Sequence, residues 1–195
     1  MKSLQLNRPH MLILIGLPGS GRTTFATQFS KLFNAPYVDA KSFASVAADS
    51  DKLVEIGQKV VEQLVKTGQT IVYEGVTGSR AERQEIASLA KDAGYAPLMV
   101  WFQVNQATAR QRAEKNSRTA HPLLGEVYDS YRFTAPNERE HYVVVSGMHT
   151  YPAQAKTVLK RLTELSGRTD APSKPAAREE QDQPRPGSSR SIRVQ

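Results

Sequence analysis

Residues 11–33 read MLILIGLPGSGRTTFATQFSKLF, and the rest of the chain is arranged around them. The first five are a short, branched apolar run of the kind buried in parallel sheets. The turn Gly16-Leu17-Pro18-Gly19-Ser20-Gly21 follows, then Arg22-Thr23-Thr24. Beyond it the spacing puts Phe25, Phe29, Leu32 and Phe33 on one helical face. Strand, glycine turn and helix in this order make a phosphate cradle. Glycines let successive N–H groups face one concavity, and the helix N-terminus adds unpaired donors and a partial positive charge. The ligand expected there is the β- and γ-phosphates of a nucleotide. It would be held by Gly16, Leu17, Pro18, Gly19, Ser20, Gly21, Arg22, Thr23 and Thr24.

The Walker A pattern G-x-x-x-x-G-K-[ST] is met at Gly16, Gly21 and Thr23, but its lysine position holds Arg22. Lysine offers a compact point charge on a flexible stem, whereas arginine is a planar fork that favours bidentate contact. The departure bears less on binding than on turnover, because the pattern's lysine handles the phosphates around the transferring group.

A length of 195 residues suits one domain with a sizeable core and a tail. The absence of cysteine excludes disulfides, thiolate metal sites and cysteine nucleophiles. The first apolar run is too short for a signal peptide or a membrane span, so a cytoplasmic protein without membrane attachment is expected. His121 and His141 have no ligand partner at metal spacing, so no zinc site is expected. The net charge is +7, and residues 1–165 account for most of it, with 20 Lys+Arg against 15 Asp+Glu. Such a field suits ATP, an anionic substrate or weak contact with nucleic acid, and does not choose among them.

Along the chain, strands alternate with helices. Residues 37–39 predict a very short second strand ending in Asp39, and residues 40–48 a weak helical stretch. The cluster Asp49-Ser50-Asp51 caps a helix over 52–66 that Gly68 closes. Residues 70–74 are a third strand ending in Glu74, 80–93 a helix stopped by Gly94, and 97–104 a continuous apolar strand. A basic helix over 106–116 follows Asn105, then an irregular polar stretch over 117–138. A last strand over 142–145 and a last helix over 152–165 complete the pattern of a doubly wound α/β domain over residues 1–165. Residues 166–195 have four prolines and few apolar residues, so a disordered basic tail is expected there.

GLPGSGRTT, YVDAKSF, TIVYEGVTGSRAERQEIASLAKDAGY and VNQATARQRAEKNSR, with RFTAPNEREHYVVV before the last strand, resemble P-loop kinases. The group resembled includes gluconate and shikimate kinases, polynucleotide kinases and zeta-toxin-like AAA-type ATPases. The likeness covers about residues 8–165, and only the first and third stretches are specific. It implies a three-layer α/β fold, a five-stranded parallel sheet in order 2-3-1-4-5 with helices on both faces, and an arginine-bearing lid between strands four and five.

The resemblance also implies roles. Thr23 would ligate Mg²⁺ through its hydroxyl and Glu74 would hold the ion through water, since hard cations take oxygen ligands. Asp39 would accept the proton of the attacking hydroxyl, although an aspartate there also suits a helix N-cap. Arg22 and Arg118 would serve catalysis, Arg118 as a mobile transition-state arginine. Arg110 and Arg112 lie on different sides of one helix, and Arg110 is the one expected on the nucleotide. Arg80 and Arg83 share a face that suits either an anionic substrate or solvent. The function implied is transfer of the ATP γ-phosphate to a hydroxyl of a small molecule or a polynucleotide end, by a monomer using ATP and Mg²⁺. The alternative is a nucleotide-binding module impaired by Arg22 that acts through a partner.

Overall fold

The computed structural model describes residues 6–117 and 131–167. The chain runs β1 (His10–Gly16), α1 (Arg22–Phe33), β2 (Tyr37–Asp39), a 3₁₀ turn (Ala40–Phe43), α2 (Ser50–Leu64) and a second 3₁₀ turn (Val65–Thr67). It continues through β3 (Ile71–Glu74), α3 (Arg80–Asp92), β4 (Ala96–Gln103), α4 (Gln106–Ser117), β5 (Tyr142–Ser146) and α5 (Tyr151–Gly167). All five strands are parallel, in the order β2-β3-β1-β4-β5 expected from the resemblance.

β1 is central and wholly buried, so its side chains alternate between two cores. Leu12 and Leu14 join Phe25, Phe29, Phe102, Val158 and Leu162 on the face covered by α1 and α5. Met11, Ile13 and Ile15 join Val61, Tyr73, Ile86 and Met99 on the face covered by α2 and α3. Each fully buried aliphatic or aromatic side chain contributes about 1.5–3 kcal/mol. Leu32 departs from the expected face of α1. It is 37 % exposed, because Phe25 and Phe29 already fill the stripe that meets the sheet.

Local signals set the boundaries. Asp49 caps α2 by accepting from the Lys52 N–H. Ser79 and Glu82 form a reciprocal capping box at the start of α3. The predicted helix over 40–48 is only the 3₁₀ turn, nucleated by Asp39 accepting from the Lys41 N–H. These turns place the carboxyl ends of β1, β2 and β3 beside the glycine loop, the edge at which open α/β sheets take ligands. Arg118 and residues 168–195 of the expected tail lie outside the described residues.

Candidate functional site

The loop between β1 and α1 is clamped by backbone on both sides. A Cβ at Gly19 would strike the carbonyl oxygen of Ala109 in α4, and one at Gly147, after β5, would strike the carbonyl oxygen of Ser20. Gly19 (φ 82) and Gly21 (φ 100) also hold left-handed backbone that other residues adopt at a cost. Gly21 is the N-cap of α1 and supplies no side chain, so the cap itself leaves the helix's first-turn N–H groups unanswered.

A cleft of about 260 Å³ opens on this loop, lined by residues 18–24 with Lys41, Glu74, Arg112 and the end of α4. Two donors within it have no hydrogen-bond partner among the described residues: Ser20 Oγ, 1 % exposed, and Arg22 Nη1, in a residue 6 % exposed. Buried donors are costly to leave unmatched. A phosphate, rich in acceptor oxygens, is the group their chemistry fits. Gly16 and Leu17 serve the loop differently. The Gly16 carbonyl accepts from the Tyr131 hydroxyl at 2.9 Å, and Leu17 lines a separate apolar cavity with Trp101, Phe133 and Met148.

Glu74 is the electrostatic hub of the cleft. Its buried carboxylate accepts from Thr23 Oγ1 (2.9 Å), Tyr37 OH (2.8 Å) and Lys41 Nζ (2.8 Å), and lies 3.9 Å from Arg22 Nε. Burial alone would raise its pKa. The charges of Arg22 and Lys41, with the hydrogen bonds from Lys41 and Tyr37, prevail and hold it below the usual carboxylate value. Thr23 Oγ1 and Glu74 are therefore side by side, an oxygen pair whose chemistry fits Mg²⁺. Lys41 touches both, since its Nζ is also 3.2 Å from Thr23 Oγ1.

Asp39 pairs in register with Glu74 at the sheet edge. Burial raises its pKa, opposed by the charge of Lys41 and reinforced by that of Glu74. It also caps the 3₁₀ turn, so the capping use foreseen for it is realised at the same position. Arg22 is held sideways between Glu74 and the ring of Tyr131, 5.8 Å from its centroid.

Three arginine placements correct or complete the sequence reading. Arg110 is 83 % exposed and pairs with Glu114 one turn on, outside the cleft. Arg112 lines the cleft instead and donates to the Gly147 carbonyl at 3.1 Å. The two diverge around the helix, and the packing of α4 against Gly19 turns Arg112 inward. Arg83 is fully buried and engaged in an internal network. It donates to both oxygens of Glu140 (2.7 and 3.2 Å) and to the carbonyls of Gly78 and Thr134. Arg80, three residues earlier, stays exposed on the first turn of α3.

Sequence reasoning missed Lys41, Tyr37, Tyr131 and Glu140. Only Lys41 had a cue, as a cation two residues beyond a candidate acid at a strand end.

A family model described as an AAA domain matches residues 11–136. The chain belongs to this AAA domain family. No curated protein sequence matches it. Among solved structures, this AAA domain resembles the Mycobacterium tuberculosis APS kinase CysC in complex with AMPPNP and APS (TM-score 0.63, 16 % identity, covering 80 % of this chain and 98 % of that one). A gluconokinase from Sinorhizobium meliloti 1021 is also similar (TM-score 0.58, 13 % identity, 82 % and 94 % covered). So is a sugar kinase from Janibacter sp. HTCC2649 (TM-score 0.56, 14 % identity, 80 % and 95 % covered). At these identities the likeness establishes a P-loop kinase-like fold. No helix among the described residues is long and apolar enough to cross a membrane.

Proposed function

We propose that this protein is an ATP-dependent phosphotransferase that moves the γ-phosphate to a hydroxyl of a small molecule or a polynucleotide end. The observation that carries the reading is the pair of buried donors without a partner among the described residues, Ser20 Oγ and Arg22 Nη1, beside a helix start whose N-cap is a glycine. All of them suit one group, a phosphate.

In this reading residues 18–24 and Arg112 bind the nucleotide, and Gly16 and Leu17 shape the loop. Phosphoryl transfer needs positioning and charge neutralisation more than covalent help. Thr23 and Glu74 would hold Mg²⁺, which when bound neutralises charge on the β- and γ-phosphates. Asp39 accepts the proton of the attacking hydroxyl. Its raised pKa makes it a better base than an ordinary aspartate, and the deprotonated form is the active one. Arg118 would meet the transferring group from the segment after α4.

Transfer of label from γ-labelled ATP to a panel of sugars, nucleosides and 5′-hydroxyl oligonucleotides tests the activity. Label should appear on at least one acceptor in wild type and on none in Asp39→Asn.

One observation favours a second reading, a nucleotide binder with impaired turnover. Arg22 is engaged by Glu74 and the Tyr131 ring, so its guanidinium is less able to follow charge developing on the γ-phosphate. Undetectable ATP consumption that Arg22→Lys restores would select it.

A further inference from the structure

Lys41 sits at the two oxygens that the fold offers to a divalent cation. Its ammonium is 2.8 Å from Glu74 Oε1 and 3.2 Å from Thr23 Oγ1, while those two oxygens are 2.9 Å from one another. The 3₁₀ turn nucleated by Asp39 brings it there from 18 residues beyond Thr23. An ammonium and a divalent ion cannot share one pair of oxygens, because both need them and they repel each other. The cleft is also cationic without metal: among the described residues Arg22, Lys41, Arg112 and Lys115 line it against the carboxylate of Glu74, with Asp39 beside Glu74 at the sheet edge. A nucleoside triphosphate entering this cleft meets most of its neutralising charge already in place.

We infer that the Lys41 ammonium is a built-in substitute for the metal during nucleotide binding. The protein binds a nucleoside triphosphate without Mg²⁺, using Lys41 as counter-cation, and Mg²⁺ reaches Thr23 and Glu74 only by displacing it. This rests on the nucleotide reading of the cleft and adds to it a separate claim about the cation. Lys41 also answers the anomaly at position 22. The lysine missing from the loop is matched by one delivered from the turn after β2, with the flexible stem and compact charge that arginine lacks.

The test is equilibrium binding of a fluorescent ATP analogue to the full chain, in EDTA and in saturating Mg²⁺, for wild type, Lys41→Gln and Lys41→Arg. Circular dichroism of each variant confirms that it is folded. Wild type should bind in EDTA within about threefold of its Mg²⁺ affinity. Lys41→Gln should lose at least about tenfold in EDTA, the worth of one charge-assisted hydrogen bond, and recover in Mg²⁺. Lys41→Arg, which keeps the charge, should retain metal-free binding better than Lys41→Gln. A wild type that loses tenfold or more in EDTA overturns the inference alone. So does a Lys41→Gln protein that binds as wild type in EDTA, or that is weakened equally in both conditions. Absence of binding by wild type in either condition overturns the nucleotide reading and this inference with it.

Discussion

Replacing Arg83 by methionine should cost the domain about 3–5 kcal/mol, and that cost can be traced bond by bond. The guanidinium is fully buried and shares two hydrogen bonds with the carboxylate of Glu140, whose side chain is 5 % exposed. Its Nη1 also serves the carbonyls of Gly78 and Thr134. Methionine fills much of the same volume but leaves Glu140 with the Asn137 N–H as its donor among the described residues, and the Thr134 carbonyl without the Arg83 donor. Stranding one member of a buried ion pair costs about 3–5 kcal/mol. For a domain of this size that lowers the melting temperature by roughly 6–20 °C in scanning calorimetry at pH 7.

The deficit should depend on pH with a definite sign. Burial pushes the Glu140 carboxyl up, but the hydrogen bonds from Arg83 and the Asn137 N–H and the charges of Arg83 and Arg80 hold it below the usual value. A group lowered in the folded state contributes stability above its unfolded pKa, about 4.3 for glutamate, and loses it as pH falls through the folded value. The gap between wild type and Arg83→Met should therefore narrow below about pH 4. The double variant Arg83→Met/Glu140→Leu should recover part of the loss, since the stranded carboxylate leaves with its partner. A single variant melting within about 3 °C of wild type at pH 7 would refute the structural role assigned to Arg83.

Further outcomes follow from the cleft. Arg112→Ala should weaken nucleotide binding by about tenfold or more, while Arg110→Ala leaves it within about twofold, both by direct titration. The reverse ranking would show that α4 presents its other face. The rate of transfer should fall on acidification through the raised pKa of Asp39, with the midpoint above the ordinary aspartate value of about 3.9, and Asp39→Asn should remove transfer while nucleotide affinity stays within about threefold. Ending the chain at Gly167 should leave melting temperature and nucleotide affinity unchanged, since residues 168–195 are too poor in apolar side chains to complete a core. A drop of more than a few degrees would show docking of that segment.

The fold was legible because its signals are local. The five-residue apolar run, the glycine turn and the Phe25/Phe29 stripe each follow from neighbours in sequence, and the alternation of strands and helices leaves few topologies. Asp39 and Glu74 lie side by side because strand ends share one edge in any such sheet, and Thr23 reaches Glu74 from the first turn of the helix after β1. What stayed hidden depends on contacts between distant segments. Arg83 read as a cation for an anionic substrate or for solvent because its partner, Glu140, is 57 residues away, beyond a stretch with no periodicity. Arg110 and Arg112 could be told apart only once Gly19 was seen against the Ala109 carbonyl. Lys41 lay two residues beyond a candidate acid, but its reach to Thr23 is set by a four-residue turn that the spacing does not reveal.

The central claim is that the glycine loop holds the phosphates of a nucleotide, and calorimetric titration of ATP into wild type and Gly19→Val tests it most directly. Gly19 has left-handed backbone and lies against the Ala109 carbonyl, so a valine must distort the cradle at its middle. Saturable one-to-one binding by wild type, weakened at least about a hundredfold in a Gly19→Val protein that remains folded, is the predicted result. This corresponds to about 2.7 kcal/mol. Equal affinity in the two proteins, or no heat of binding in wild type, would contradict the account.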